Sequence, residues 1–133
     1  MTTQHTTEQI LETLPQFTGS EQLYKHWMQI RYSDGVKYLA EVAQAYWLID
    51  AIASHYVTKR KLRAEPFLVV RLEVDRKPGA KFMARLTFHT DWDKGNPKAY
   101  PSIQTQRITY TDFPLDALKF YLIDGVLMLP SEY

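Results

Sequence analysis

The chain contains no cysteine. That excludes a disulfide framework and any cysteine-ligated metal, and nothing here is adapted to an oxidising compartment, so the expected address is cytosolic. Glycine is scarce. The five glycines, at positions 19, 35, 79, 95 and 125, are scattered, so no glycine-rich loop can cradle a phosphate. There is no nucleophile elbow and no thiol nucleophile. The four histidines, His5, His26, His55 and His89, are too far apart for zinc-ligand spacing. These absences leave no cofactor to expect. No apolar run reaches membrane-spanning length, and the longest, residues 45–53, contains Asp50, so no membrane partner is expected. Met1 to His5 carry neither a basic stretch nor an apolar core, and a signal peptide is not expected.

What is present fits one soluble domain. The chain has 133 residues, 45% of them apolar and 23% charged, which argues against disorder, collagen and coiled coil. Sixteen Lys and Arg stand against fifteen Asp and Glu, so bulk charge points to no polyanionic partner. The charges are unevenly placed. Residues 1–56 hold three basic and six acidic side chains, residues 57–107 hold twelve and five, and residues 108–133 hold one and four. A basic middle lies between acidic ends.

Hydrophobic periodicity divides the chain into helices first and strands after. Ile10, Leu11 and Leu14 form a helical apolar face that Thr7 can cap and Pro15 ends. Residues 17–20 read as a loop. Tyr24, His26, Met28, Ile30 and Tyr32 then alternate with Lys25, Trp27, Gln29 and Arg31, the pattern of a strand. From 36 to 57 the period is helical, with Val36, Ala40, Ala43, Trp47, Asp50 and Ser54 on the apolar side, as one long helix or two broken near Gln44. A basic connector follows at 58–63. Leu68, Val70, Leu72 and Val74 alternate with Val69, Arg71 and Glu73, and Phe82, Ala84, Leu86 and Phe88 alternate with Met83, Arg85, Thr87 and His89. The first set of each pair should face the core and the second should face solvent, with a hairpin turn at 75–80. A third strand is predicted over 102–109, and Asp112-Phe113-Pro114 marks a corner or a short helix start. Asp124-Gly125 between two apolar runs is a hairpin signal, because both turn positions need positive φ. The fold class is therefore α+β, with N-terminal helices packed on one face of an antiparallel meander of about four to six strands.

Four features suggest chemistry. If the strand continues past residue 88, His89, Asp91 and Asp93 share a face, and an imidazole with two carboxylates suits a divalent cation that activates water. The same residues also suit a strand end, where Asp and Gly satisfy backbone N–H groups. Asp50, on an apolar stripe, must find a donor or lose its charge. It is a candidate general base, or else a hydrogen-bond partner for a backbone N–H or a tyrosine, and Asp50 or Asp112 would assist chemistry at His89, Asp91 and Asp93. His55, near the end of the same helix, is placed to cap carbonyls. The basic middle offers Lys59, Arg60, Lys61 and Arg63 in one cluster, and Arg71, Arg85 and Lys81 on one outward sheet face. Trp92 and Tyr100 lie nearby, and Glu73 interrupts the face. Such a face suits single-stranded nucleic acid. Finally, eighteen aromatic residues leave room for a protein partner or a homodimer.

Several segments taken together resemble a known family. They are Phe17-Thr18-Gly19, residues 32–41 (YSDGVKYLAE), residues 45–50 (AYWLID), residues 110–115 (YTDFPL) and the ending Leu129-Pro130-Ser131-Glu132-Tyr133. The family is one of small uncharacterised bacterial, cyanobacterial and phage proteins known only as a domain of unknown function. Ser33 stands where that pattern has threonine, and Gln44 where it has a small residue. The resemblance implies a free-standing domain and supplies no activity, cofactor or catalytic residue. A mobile-element setting favours a host-interaction role by association. The expected function is a non-enzymatic binding or regulatory module. The alternatives are a metal-dependent hydrolase or nuclease at His89, Asp91 and Asp93, and a single-stranded nucleic-acid binder.

Overall fold

The computed structural model of the chain describes residues 7–18, 22–26, 28–79 and 81–133. Expectations placed on Met1 to His5, Gly19, Ser20, Trp27 and Ala80 lie outside them. The first apolar face forms α1 (Thr7–Thr13), and the helix tightens into a 3-10 turn over Leu14–Gln16, where Pro15 cannot donate to a helical bond. Ile10 and Leu14 enter the core while Leu11 stays exposed. The Thr7 hydroxyl donates to the carbonyl of Pro114 at 3.2 Å, tying the helix to the last third of the chain.

The alternating run at 24–32 is a hairpin rather than one strand. β1 (Leu23–Lys25) pairs antiparallel with β2 (Arg31–Ser33), with Tyr24 opposite Tyr32. The turn closes through the His26 N–H to the Ile30 carbonyl at 2.8 Å, with Gln29 at φ 71°. Parity is preserved across the turn, which is why periodicity alone reads it as continuous. Ser33 then caps α2 (Asp34–Val42), its hydroxyl accepting from the Val36 N–H at 3.3 Å. Gln44 adopts φ 52° and breaks the helical run, so α3 (Tyr46–Thr58) starts on a new phase. That phase change corrects the expected stripe. Asp50 does not face the core, and its side chain is 54% exposed. The basic connector becomes a single turn, α4 (Arg60–Arg63), anchored by buried Leu62.

The rest is sheet: β3 (Phe67–Val74), β4 (Ala84–His89), β5 (Gln104–Ile108), β6 (Ala117–Ile123) and β7 (Val126–Met128). The β6–β7 turn has Asp124 at φ 48° and Gly125 at φ 79°, both positive as a type I′ turn requires. Residues 111–114 make a corner, not a helix, with the Thr111 hydroxyl accepting from the Phe113 N–H and Phe113 buried.

All seven strands join one sheet in the order β1-β2-β7-β6-β3-β4-β5. The expected antiparallel meander of about four to six strands is thereby corrected in two respects: the described residues form seven strands, and β2 runs parallel to β7. The parallel pair follows from the chain's ending. Beyond β7 a 3-10 turn over Pro130–Glu132 places the Glu132 carboxylate to accept from the Ser33 hydroxyl at 2.5 Å and the Gly35 N–H at 3.2 Å. It also accepts from the Leu129 N–H at 2.9 Å. The end of β2 and the end of β7 must therefore lie side by side.

Buried residues of the helices (Ile10, Leu39, Ile52, Leu62) and of one sheet face (Val70, Leu72, Leu86, Phe88, Phe120) form one core. Register places Arg71, Glu73, Arg85 and Thr87 on the opposite face, where the described helices contribute nothing to the core. Three residues expected to face solvent there, Val69, Thr87 and His89, are buried: the segment after β4 folds back to hydrogen-bond His89, which also holds Thr87, and Val69 stands opposite Tyr121, whose ring packs with Phe67 and Tyr133.

Candidate functional site

The open sheet face carries a groove of about 880 Å³, floored by β3, β4 and β5 and rimmed by the segment 92–102. Strand pleating makes its floor: successive side chains alternate faces, so the residues between the core leucines and valines must project here. Pairing sets them in rows. Lys119, Arg71, Thr87 and Thr105 lie across β6, β3, β4 and β5, and the next row is Ala117, Glu73, Arg85 and Arg107.

The rim is held by His89. Its Nδ1 donates to the Tyr100 carbonyl at 2.8 Å, and its Nε2 accepts from the Thr87 hydroxyl at 2.9 Å. With both ring nitrogens engaged and the ring 5% exposed, His89 fastens the rim to the floor. Its ring meets Trp92 edge-on at 5.1 Å. The Arg71 guanidinium lies 3.8 Å from the centroid of Trp92, a cation–π contact. Arg71 is also ion-paired to Glu73 through Oε1, and Arg85 approaches the other carboxylate oxygen at 3.7 Å. Arg107 lies 5.4 Å from the Phe82 ring. Arg71, Arg85, Arg107 and Lys98 thus line the groove, and Glu73 is the one carboxylate among the described residues lining it.

No described residue of 1–56 or 108–133 lines the groove, and Tyr133 packs on Phe67 and Tyr121 farther along the same face. Glu132 is committed to the turn at Ser33 and Gly35, Asp116 is paired with Arg76, and Asp50 is paired with His26.

The candidate residues read from the sequence are distributed as follows. Arg71, Arg85 and Trp92 come together in the groove. Lys59, Arg60, Lys61 and Arg63 do not join them. They belong to α4 and its cap, which bury Leu62 in the helix-side core, and Arg63 donates to the carbonyl of Val57. The basic residues singled out from the sequence are therefore split, Arg71 and Arg85 in the groove and Lys59, Arg60, Lys61 and Arg63 on α4 and its cap, while Lys81 lies outside the groove lining. His89, Asp91 and Asp93 are not assembled into a metal cage. Asp91 accepts from the Trp92 N–H at 2.7 Å and Asp93 from the Gly95 N–H at 2.9 Å, and among the described residues no group of three or more His, Asp or Glu is placed to hold a metal ion. Asp112 lies in a shallow cleft with Trp47, Ile108 and Tyr110. Asp50 finds an imidazole in place of the backbone N–H or tyrosine expected. The Met28 N–H donates to His26 Nδ1 at 3.0 Å, so the ring proton sits on Nε2 and is donated to Asp50 at 2.6 Å. His55 does not cap carbonyls. It bridges α3 to β5 through Gln106 at 2.7 Å and Gln104 at 3.3 Å.

Sequence reading missed Arg107, Lys98 and Phe82 as groove residues. Arg107 had a usable signal, since Thr105 and Arg107 alternate within the third predicted strand. Its place beside Arg85 depends on the β4–β5 register, which no single strand states. Phe82 was assigned to the core by alternation, but β4 starts only at Ala84.

Among the described residues no helix is long and apolar enough to cross a membrane. The chain matches the model of a family of unknown function (DUF6876) over residues 8–133, and it belongs to that family. No curated protein and no solved structure matches the chain.

Proposed function

We propose that this DUF6876 protein is a non-enzymatic binding module that engages an anionic partner through the open face of its sheet. The observation that carries this reading is the cross-strand pair Arg85 and Arg107. Like charges directly opposite one another are destabilising in a sheet. Here the pair is kept beside Arg71 and Lys98 with a single carboxylate for company. An anion seated between them would relieve that repulsion. Binding is favoured over turnover by the state of the polar groups: both nitrogens of His89 and both oxygens of Glu73 already have partners within the fold.

Retention on immobilised heparin, a sulfated polyanion, tests this. The wild-type protein should be retained at low salt and released as salt rises, because screening weakens exposed charge interactions. The double reversal R85E/R107E should elute earlier than wild type, and earlier than K59E/K61E, which carries the same charge change on α4. No retention of the wild type, or equal losses in the two double variants, would overturn the assignment of this face.

A further inference from the structure

Resting on that reading of the open face, we infer that its partner is a single-stranded nucleic acid, with bases against the Trp92 side of the groove and phosphates on Arg85, Arg107 and Lys98. The groove is aromatic as well as basic. Trp92, Tyr100 and Phe82 line it together with the cations, and stacked aromatics beside arginines are how proteins hold unpaired bases without reading sequence. An acidic protein segment would use the cations and leave the rings idle.

Strand number follows from shape. A duplex is entered by a protruding helix or a two-stranded ribbon, whereas this site is a recess floored by three strands and rimmed by residues 92–102. At about 880 Å³ it falls within the size range of small-ligand clefts, room for unstacked bases rather than for a double helix.

The basic groups also have the reach of a strand path. Lys119 and Arg71 in one cross-strand row and Arg85 and Arg107 in the next together span three inter-strand steps, about 14 Å at the usual sheet spacing, with Lys119 outside the groove at one end.

The test is fluorescence anisotropy with a labelled oligo(dT) of about 15 nucleotides, within the footprint range of single-strand-binding domains. Unlabelled duplex DNA of equal length and poly-glutamate serve as competitors. The oligonucleotide should bind with an affinity that falls as salt rises. It should be displaced by unlabelled single strand far better than by either competitor. W92A should weaken binding roughly tenfold or more, and W92F, which keeps a ring, should restore most of it. K98E, an exposed change in the rim, should weaken binding with the melting temperature unchanged. Equal competition by poly-glutamate or by duplex would overturn the single-strand assignment. If heparin retention still depended on Arg85 and Arg107, the binding-module reading would survive. Binding unmoved by both W92A and K98E would remove the nucleic acid from this groove, and loss of heparin retention as well would overturn both proposals.

Discussion

Replacing Glu132 with alanine should remove a large part of the stability of the fold. The carboxylate is 9% exposed and accepts three hydrogen bonds, from the Ser33 hydroxyl at 2.5 Å, the Leu129 N–H at 2.9 Å and the Gly35 N–H at 3.2 Å. Ser33 is itself the cap of α2, accepting from the Val36 N–H. In E132A the buried N–H groups of Gly35 and Leu129 lose their acceptor, each at about 1–3 kcal/mol. A negative charge beside a helix N-terminus is also lost, worth about 0.3–1 kcal/mol. Water entering the vacated space will satisfy some of these groups, which brings the expected loss to about 3–5 kcal/mol, against the roughly 5–15 kcal/mol typical of a whole domain. With a urea slope of about 2 kcal/mol/M for a chain of this size, the midpoint should fall by roughly 2 M at constant slope.

Three variants sharpen the reasoning. E132Q keeps an acceptor oxygen but turns an amide donor toward donors, so it should fall between wild type and alanine. S33A loses a cap at about 0.5–2 kcal/mol. Because it shares hydrogen bonds with Glu132, the double variant should cost less than the two single changes added, by about 1 kcal/mol. G35A tests the same contact sterically, since a β-carbon there would lie 2.6 Å from both Glu132 Oε1 and Leu129 Cδ1. A loss below about 1 kcal/mol in E132A, with strict additivity to S33A, would refute the reasoning. The account of why β2 and β7 run parallel would fall with it.

Three further outcomes are expected. Gly125, at φ 79°, should lose about 1–2 kcal/mol on replacement by alanine in urea unfolding, and a neutral result would mean that the turn relaxes at no cost. Burial, and then Asp124, raise the Tyr56 phenol above its ordinary value of 10.0, against a smaller opposing effect of Arg63. A raised folded-state value means that the neutral phenol is favoured by the fold. Its contribution is complete below pH 10 and is lost as pH climbs through the folded value, so Y56F should lose less stability than wild type between neutral and strongly alkaline pH. Thermal melts with phenolate absorbance read this, and identical alkaline profiles would contradict it. Glu73 has a side chain 40% exposed and is paired with two arginines, so E73Q should cost no more than about 1 kcal/mol while raising the salt needed to elute the protein from heparin. Weaker retention in E73Q would show that the carboxylate chiefly aims the guanidinium groups.

Local signals carried much of this fold. The Asp124-Gly125 turn and the β3–β4 hairpin both lie within a few residues of the features that cause them, so pattern and turn chemistry sufficed, whereas periodicity left one long helix or two broken near Gln44 open and the positive φ of Gln44 decides for two. The parallel neighbour of β7 was not legible, because its cause joins residues 33 and 132 through a side chain and a terminal turn. The same distinction explains the errors in burial. Asp50 was placed by continuing one helical phase through Gln44, and the positive φ there rotates everything after it. His89 was placed on a solvent face by correct alternation, and a loop that returns to hydrogen-bond it changed its surroundings without changing its side of the sheet. For the site, strand parity found Arg71 and Arg85, but only register could add Arg107.

The two faces of the sheet also explain why bulk charge was uninformative. A net charge of +1 is the sum of groups that the fold keeps apart. Acids from the two ends are consumed locally: Glu132 in a buried turn, Asp116 on Arg76, and Glu41 beside Lys37. The α4 cations accompany the helices, and the β3, β4 and β5 cations are left on the uncovered side. Within that side, Glu73 offsets part of the arginine repulsion and the Arg71 guanidinium rests 3.8 Å from the centroid of the Trp92 ring, so the side chains of the cluster hold one another in place.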